Sequence, residues 1–248
     1  MEMIEVKDLR KAFGPIVAVD GVSFSVSKGD VLGFLGPNGA GKSTTMRILS
    51  CFLPPDSGTA TIAGHDIVRE PIQVQRSVGY LAENAPAYDE MTVGSFLDFV
   101  CETRGMHKAE RREAIDRIAK VTAIEAVMHQ PIGTCSKGFR RRAGLAQALV
   151  HDPPVLILDE PTDGLDPNQK HDVRMLIKKL AANKCIVIST HILEEVDAIC
   201  NRMAIIHRGR LLVDSTPDDL RRSEGGNLDE IFRKLTSEHQ AVAAGGAS

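Results

Sequence analysis

Short and almost wholly apolar runs mark the strands that we expect the chain to bury. Val31–Leu35, Val155–Leu158 and Ile186–Ile188 contain only apolar residues and one glycine. Such runs are typical of strands covered on both faces, as in a parallel sheet. Ile4–Val6 and the end of Val17–Val26 instead alternate apolar and polar positions, which indicates strands with one solvated face. Helical segments lie between the strands, so the pattern predicts an α/β fold.

Helical periodicity dominates the middle of the chain. Within the charged segment Lys108–Arg117 and just after it, Ala114, Ile115 and Ile118 recur at helical spacing. We therefore expect a helical subdomain inserted at about residues 88–152 into a domain that spans residues 1–236. Leu228–Leu235 predicts a last amphipathic helix. We expect residues 237–248 to form a disordered tail, since residues 241–248 are small and mostly apolar.

Composition narrows the class of protein. The 248 residues, 43% hydrophobic and 25% charged, suit one large domain with an insertion. A net charge of −3 gives no global basic field, so we expect no nucleic-acid partner. No apolar run approaches the ~20 residues that a membrane-spanning helix needs, and the N-terminus does not resemble a signal peptide. We therefore expect the chain to stay in the cytosol. Its five scattered cysteines predict neither a zinc site nor a disulfide framework.

A glycine-rich turn follows the run Val31–Leu35. Residues 36–43, Gly-Pro-Asn-Gly-Ala-Gly-Lys-Ser, match G-x-x-x-x-G-K-[ST] between a predicted strand and a predicted helix. We call residues 36–43 the phosphate loop, because its glycines let backbone N–H groups converge on phosphate oxygens and the helix N-terminus adds positive charge. Lys42 is expected to reach the β and γ phosphates, and Ser43 to bind Mg²⁺. The predicted nucleotide contacts are Gly36, Pro37, Asn38, Gly39, Ala40, Gly41, Lys42, Ser43 and Thr44.

Two carboxylates end a later apolar run. Asp159 and Glu160 follow Val155–Leu158 directly. At the carboxyl end of a parallel strand, Asp159 can face the magnesium shell while Glu160 faces the γ-phosphate. We expect Asp159 to be a metal ligand and Glu160 to be the general base for the attacking water. These features alone are compatible with any P-loop NTPase, including a kinase or a GTPase.

Further segments separate these classes. Residues 135–142, Cys-Ser-Lys-Gly-Phe-Arg-Arg-Arg, partly match the pattern LSGGQ-x-x-R, and residues 163–166, Asp-Gly-Leu-Asp, follow Glu160 closely. His191 comes after the next predicted strand, and residues 78–83, Val-Gly-Tyr-Leu-Ala-Glu, precede the helical segment. In this order and spacing, over roughly residues 4–235, the chain resembles the ATP-binding subunits of ABC transporters. The resemblance implies a P-loop NTPase core of the RecA type with an antiparallel β subdomain and an inserted helical subdomain.

The resemblance also implies roles for single residues. Phe13 matches the aromatic residue that stacks on adenine, and His191 matches the switch histidine near the γ-phosphate. Glu83 stands where a glutamine usually contacts Mg²⁺. Ser136, Lys137, Gly138 and Asp166 lie in segments that meet ATP held by an opposite subunit, so the resemblance implies a dimer of ATP-binding subunits with ATP and Mg²⁺ as ligands.

The chain departs from the common family pattern at four positions, three of them in residues 135–142, which we call the signature segment. Cys135 replaces leucine, Lys137 replaces the first glycine, Phe139 replaces glutamine, and Glu83 replaces the glutamine described above. Lys137 adds positive charge near the expected phosphate, and a carboxylate at position 83 can still bind magnesium through oxygen. Together Lys137, the aromatic Phe139 after Gly138 and Glu83 resemble the ABC-2 exporter branch.

The leading hypothesis is therefore an ATP-hydrolysing subunit that powers an ABC-2-type exporter, with transmembrane permease subunits on separate chains and a second identical ATP-binding subunit. Such a subunit would lie at the cytoplasmic side of the membrane. Three alternatives stay open: a motor or regulatory ATPase of a membrane complex that moves no solute, a soluble ABC ATPase acting on ribosomes or DNA, and a partner that does not hydrolyse ATP. The presence of Lys42, Asp159, Glu160 and His191 argues against the last.

Overall fold

The computed structural model describes residues 2–83 and 88–245. Within this part of the chain, two sheets carry the fold, a four-stranded one in the order β2-β1-β4-β5 and a six-stranded one in the order β10-β9-β3-β8-β7-β6. The strands are β1 (Glu2–Phe13), β2 (Ile16–Ser27), β3 (Val31–Leu35), β4 (Ser57–Ile62), β5 (His65–Asp66), β6 (Val78–Leu81), β7 (Val155–Asp159), β8 (Cys185–Thr190), β9 (Arg202–His207) and β10 (Arg210–Ser215).

Helices connect and cover these strands. They are α1 (Lys42–Leu49), α2 (Pro71–Ser77), α3 (Val93–Thr103), α4 (Lys108–Thr122), α5 (Lys137–Leu149), α6 (Pro167–Ala181), α7 (Leu193–Ile199), α8 (Pro217–Glu224) and α9 (Leu228–Gly245). Three of them, α3, α4 and α5, fall between β6 and β7, within the range predicted for the helical insertion. Every helix in residues 2–83 and 88–245 is too short or too polar to cross a membrane.

The six-stranded sheet has the burial that its apolar runs predict. Strands β9, β3, β8, β7 and β6 pair in parallel, and β10 adds antiparallel to β9. Residues on one face, such as Leu156 and Ile188, pack into a core with α3–α5, while the intervening residues, such as Ile157 and Val187, pack with the four-stranded sheet and α1. The parallel strands are therefore buried on both faces, and the predicted combination of a parallel core with an antiparallel sheet is confirmed.

The C-terminal helix is longer than predicted. α9 runs from Leu228 through Gly245, where we expected disorder from residue 237. Leu228 and Ile231 anchor the start of α9 in a small core with α7 and β9, and the alanines at positions 241, 243 and 244 have the highest intrinsic helix propensity. Residues 246–248 of the predicted tail lie outside the described residues.

Candidate functional site

The phosphate loop leaves the carboxyl end of β3 and enters α1. Gly41 precedes the first helical residue with a positive φ of 107°, and a Cβ on Gly41 would lie 2.2 Å from the carbonyl oxygen of Ala18. A Cβ on Gly36 would lie 2.3 Å from the carbonyl oxygen of Ile206. Close backbone approach therefore requires glycine at both positions, and the left-handed conformation requires it at Gly41 as well. The loop places the free N–H groups of the first turn of α1 at the sheet edge.

Lys42, the first residue of α1, is buried beside this loop. Its Nζ donates to the carbonyl oxygens of Gly36 at 2.7 Å and Pro37 at 3.3 Å, and lies 3.8 Å from Oε1 of Glu160. Burial lowers the pKa of Lys42, and the nearby negative charge of Glu160 opposes that shift. An ammonium held by neutral carbonyls would bind a phosphate more strongly, because a charged acceptor makes a stronger hydrogen bond.

Ser43 on α1 and Asp159 at the end of β7, two of the residues predicted to bind magnesium, lie in contact. Oδ1 of Asp159, at the end of β7, accepts a hydrogen bond from Oγ of Ser43 at 3.2 Å and another from Oγ of Ser189. Asp159 is 1% exposed. Strands β7 and β8 pair in register at Asp159 and Ser189, which explains why a serine of β8 supports a carboxylate of β7. The pair offers the oxygen ligands that Mg²⁺ prefers.

Glu160 and His191 also meet, although 31 positions separate them in the chain. Nδ1 of His191 lies 3.1 Å from both carboxylate oxygens of Glu160. A carboxylate only accepts hydrogen bonds, so Nδ1 carries the proton in this pair. Glu160 has a positive φ of 49°, and such backbone is uncommon outside glycine and clusters at functional sites. The buried carboxylate therefore sits between Lys42 and His191.

The signature segment begins α5 on another part of the surface. Oγ of Ser136 accepts from the backbone N–H of Phe139 at 3.3 Å and caps the helix. Nζ of Lys137 lies 3.7 Å from Oδ2 of Asp163. A Cβ on Gly138 would lie 2.6 Å from the side chain of Gln169. In the described residues no hydrogen bond or ion pair joins residues 136–138 to the phosphate loop, so one copy of the chain does not bring these two sets of predicted contacts together.

The remaining predicted contacts lie at the edges of the site. The ring of Phe13 is 48% exposed at the end of β1, with Nζ of Lys11 5.8 Å from its centroid. Asp166 caps α6 by accepting from the backbone N–H of Gln169 at 2.9 Å. Glu83 has an exposed side chain just after β6. In the phosphate loop Asn38 and Gly39 are exposed, Pro37 and Ser43 are half-buried, and Ala40 is buried; Thr44, just after the loop, is half-buried.

Sequence reasoning missed Arg141. In the sequence it belongs to a run of three arginines to which the sequence analysis gave no separate roles, yet its side chain is buried and its neighbours in the run, Arg140 and Arg142, are not. Helical periodicity could have revealed it, because Gly138, Arg141, Leu145 and Ala148 lie on one buried stripe of α5. Burial lowers the pKa of Arg141, and the charges of Asp159 and other nearby carboxylates oppose that shift.

Glu195 is a second buried charge that the sequence analysis missed. Oε2 of Glu195 accepts from Oγ1 of Thr190 at 2.8 Å, and Oε1 accepts from Oγ1 of Thr162. Nη2 of Arg174 lies 4.0 Å from Oε1. Burial raises the pKa of Glu195. This carboxylate joins the residue before His191 to the turn after Glu160, and nothing in the sequence pattern of α7 indicated it.

The sequence is similar to those of known ATP-binding proteins, in agreement with the geometry of this site. A family model described as "ABC transporter" matches residues 19–163, more than half of the chain. The chain is 37% identical over 240 residues to the Nod factor export ATP-binding protein I of Sinorhizobium fredii, covering 94% of this chain and 70% of that protein. It is 37% identical over 242 residues to the bacitracin transport ATP-binding protein BcrA of Bacillus licheniformis, covering 97% of this chain and 77% of that protein.

A further related protein and two solved structures are also similar to this chain. The probable multidrug ABC transporter ATP-binding protein YbhF of Escherichia coli is 34% identical over 220 residues, and the chain spans only 38% of its length. The solved structure of an ATP-binding subunit of an ABC transporter superimposes with a TM-score of 0.86 at 30% identity, covering 94% of this chain and 99% of that one. A dimeric bacterial ABC transporter cassette, MJ0796, matches with a TM-score of 0.80 at 23% identity, covering 86% of this chain and 98% of that one, which shows the shared fold.

We predict that Lys42→Ala reduces ATP affinity at least 10-fold, because the variant loses the only buried ammonium that the described residues place beside the phosphate loop. Isothermal titration calorimetry with ATP measures the change. The matched control is Lys28→Ala, since Lys28 is exposed in the turn before β3 and should keep the parent affinity. Equal affinity of the parent and Lys42→Ala would contradict the role given to Lys42.

Proposed function

The chain belongs to the family of ABC transporter ATP-binding proteins, and on that premise we propose that it binds and hydrolyses ATP to power an ABC-2-type membrane exporter. The observation that carries the proposal is the convergence of the phosphate loop, Asp159, Glu160 and His191 at the carboxyl edge of the six-stranded sheet. In open α/β sheets this edge is where ligands bind.

ATP fits the loop chemically. Its phosphates would accept from the backbone N–H groups that begin α1 and from Nζ of Lys42, and the partial positive charge of the helix N-terminus favours an anion there. The two glycines that cannot carry a Cβ, Gly36 and Gly41, keep the loop backbone in this conformation. Phe13 offers an exposed ring on which adenine would stack.

Ser43 and Asp159 would hold Mg²⁺, and Glu83, at the position where the family usually has glutamine, would be a third oxygen ligand. Support comes from the hydrogen bond between Ser43 and Asp159, which places a hydroxyl and a carboxylate close enough together to bind the same ion. When bound, the ion would neutralise charge on the phosphate oxygens. The carboxylate of Glu83 is exposed and free to approach such a site.

Glu160 is the residue that we propose as general base. A water between Glu160 and the γ-phosphate would lose its proton to the carboxylate and attack phosphorus, giving ADP and phosphate. His191 holds the carboxylate through Nδ1–H. In the imidazolium form Nε2 also carries a proton and would donate it in a hydrogen bond to the γ-phosphate. Lys42 offsets the charge of Glu160 before ATP binds and turns to the phosphates afterwards.

A second copy of the chain would complete each ATP site. Ser136 and Gly138 begin α5, so a hydroxyl, free backbone N–H groups and the helix dipole are available to an anion. These groups do not meet the phosphate loop of their own chain, so the partner's ATP is their proposed ligand. Lys137, paired with Asp163 only at 3.7 Å and 67% exposed, would add positive charge there, and Asp166 lies near the same surface segment. The dimeric MJ0796 cassette of the same fold supports this arrangement.

The membrane subunits would bind beside the segment that contains Glu83. Phe52 is 72% exposed although its ring contacts Tyr80, three residues before Glu83, with 5.7 Å between centroids. Tyr88 is 56% exposed and meets Phe99 at 5.8 Å. Exposed aromatic pairs are typical of protein interfaces. Relatives named for Nod factor export and bacitracin transport support a membrane partner on a separate chain, with this subunit at the cytoplasmic face.

We predict that Glu160→Gln lowers the ATP hydrolysis rate by about 10²- to 10⁴-fold, the usual contribution of a general base, while ATP binding persists. Because ATP then stays between two copies, the variant should accumulate as an ATP-bound dimer. Phosphate release and sedimentation with ATP measure the two effects. Glu194→Gln is the matched control, since that carboxylate is exposed on α7. Turnover by Glu160→Gln at the parent rate would remove Glu160 as base.

We predict that Phe52→Ser releases the chain from the membrane fraction of its native host without weakening ATP binding, because the exposed ring contributes to docking and little to the core. Quantifying the tagged chain in membrane and soluble fractions measures the effect. Met175→Ser, which removes a 52% exposed apolar side chain on α6, is the control and should remain with the membrane. Identical fractionation of the Phe52 variant and the parent would argue against this docking surface.

A further inference from the structure

All three nitrogens of the Arg141 guanidinium donate hydrogen bonds to main-chain carbonyl oxygens. The side chain offers five N–H donors in a planar fork, and each donor has a carbonyl partner. Nε donates to Pro161 at 3.0 Å, Nη1 donates to Ala82 at 3.0 Å and Glu83 at 2.9 Å, and Nη2 donates to Asp159 and Glu160.

These carbonyls belong to two separate segments of the proposed catalytic site. Residues 82 and 83 follow β6, while residues 159–161 close β7 and begin the turn after it. Arg141 itself lies in the second turn of α5. One guanidinium therefore ties a helix of the inserted segment to both strand ends. Without it, the carbonyl groups of the buried residues 159–161 would lose hydrogen-bond donors in a place that water does not reach.

A buried cation needs a specific reason to be retained, because removing its charge from water costs free energy that an apolar side chain would avoid. Here the two carbonyls that Nη2 binds belong to the residues whose side chains are the proposed metal ligand and the proposed base, Asp159 and Glu160. Glu160 also has the left-handed backbone conformation, with a φ of 49°. Hydrogen bonds to the carbonyls of residues 159, 160 and 161 hold that uncommon conformation and so fix the direction of the carboxylate.

We propose that Arg141 is a positioning residue that sets Glu160 and Glu83 for ATP hydrolysis according to the position of α5. The inference rests on the proposed function. Because Ser136 begins the same helix, a contact of Ser136 with the partner's ATP shifts α5, and Arg141 carries that shift to the backbone of both carboxylates. None of the hydrogen bonds that Arg141 makes within the described residues reaches the phosphate loop, so it acts on turnover and leaves ATP binding unaffected.

Arg141→Lys tests this assignment, since lysine keeps the charge but has only three donors and no planar fork. We expect the kcat for ATP hydrolysis to fall about 10- to 100-fold, as for other misplaced catalytic groups, with KM and the calorimetric Kd for ATP within about 3-fold of the parent. The control is Arg117→Lys, because exposed Arg117 on α4 donates to a main-chain carbonyl outside these two segments, that of Val150. It should keep the parent kcat.

Chemical rescue gives the second readout. Millimolar ethylguanidinium should restore part of the kcat of Arg141→Ala and leave Arg117→Ala unchanged, because only the first variant lacks donors that the small cation can replace. An unchanged kcat in Arg141→Lys would overturn the proposal. So would equal losses in kcat and ATP affinity, or unfolding of both Arg141 variants, since either result makes Arg141 merely structural. A parent chain that binds ATP but never hydrolyses it would contradict the proposed function itself. If the parent hydrolyses ATP, Glu160→Gln is inactive and Arg141→Lys is fully active, only this inference is contradicted.

Discussion

The charged side chains buried at the carboxyl edge of the six-stranded sheet need charged or hydrogen-bonding partners, and the surrounding elements supply them. Lys42, Arg141, Asp159, Glu160 and Glu195 are each at most 9% exposed. An unpaired charge in such surroundings would be strongly destabilising. Each of these side chains therefore has oppositely charged or hydrogen-bonding neighbours, supplied by the ends of β6, β7 and β8 and by α1, α5 and α7. Proteins retain such arrangements where chemistry requires them.

Much of this edge could be predicted because a simple topological rule applies to it. Parallel strands place their carboxyl ends at one edge, so the glycine loop after β3, the acidic pair after β7 and the histidine after β8 had to converge. The apolar runs located these strands from the sequence alone. The contacts of Ser43 with Asp159 and of His191 with Glu160 agree with that prediction. Their catalytic roles remain proposals.

Other features depend on packing that a local pattern does not encode. Arg141 stands in a basic run, and only the stripe that α5 buries distinguishes it from Arg140 and Arg142. Glu195 is stabilised in its buried position by the hydroxyl groups of Thr190, at the end of β8, and of Thr162, 33 positions earlier in the chain. The prediction of disorder from residue 237 differs from the structure for another reason. Core contacts near Leu228 stabilise the start of α9, and extending an existing helix through alanine costs little free energy. The side chains at two of the departures from the family pattern, Cys135 and Phe139, pack with the helical core.

The central claim is that ATP hydrolysis at this edge drives a membrane partner. Its most direct measurement is to purify the tagged chain from gently solubilised membranes of its native host, reconstitute the complex in lipid and compare its ATP hydrolysis rate with that of the chain alone. The account predicts a multi-span partner without a phosphate loop and a hydrolysis rate that changes when that partner is present. Recovery with ribosomes or nucleic acid alone, or a rate indifferent to any membrane partner, would contradict it.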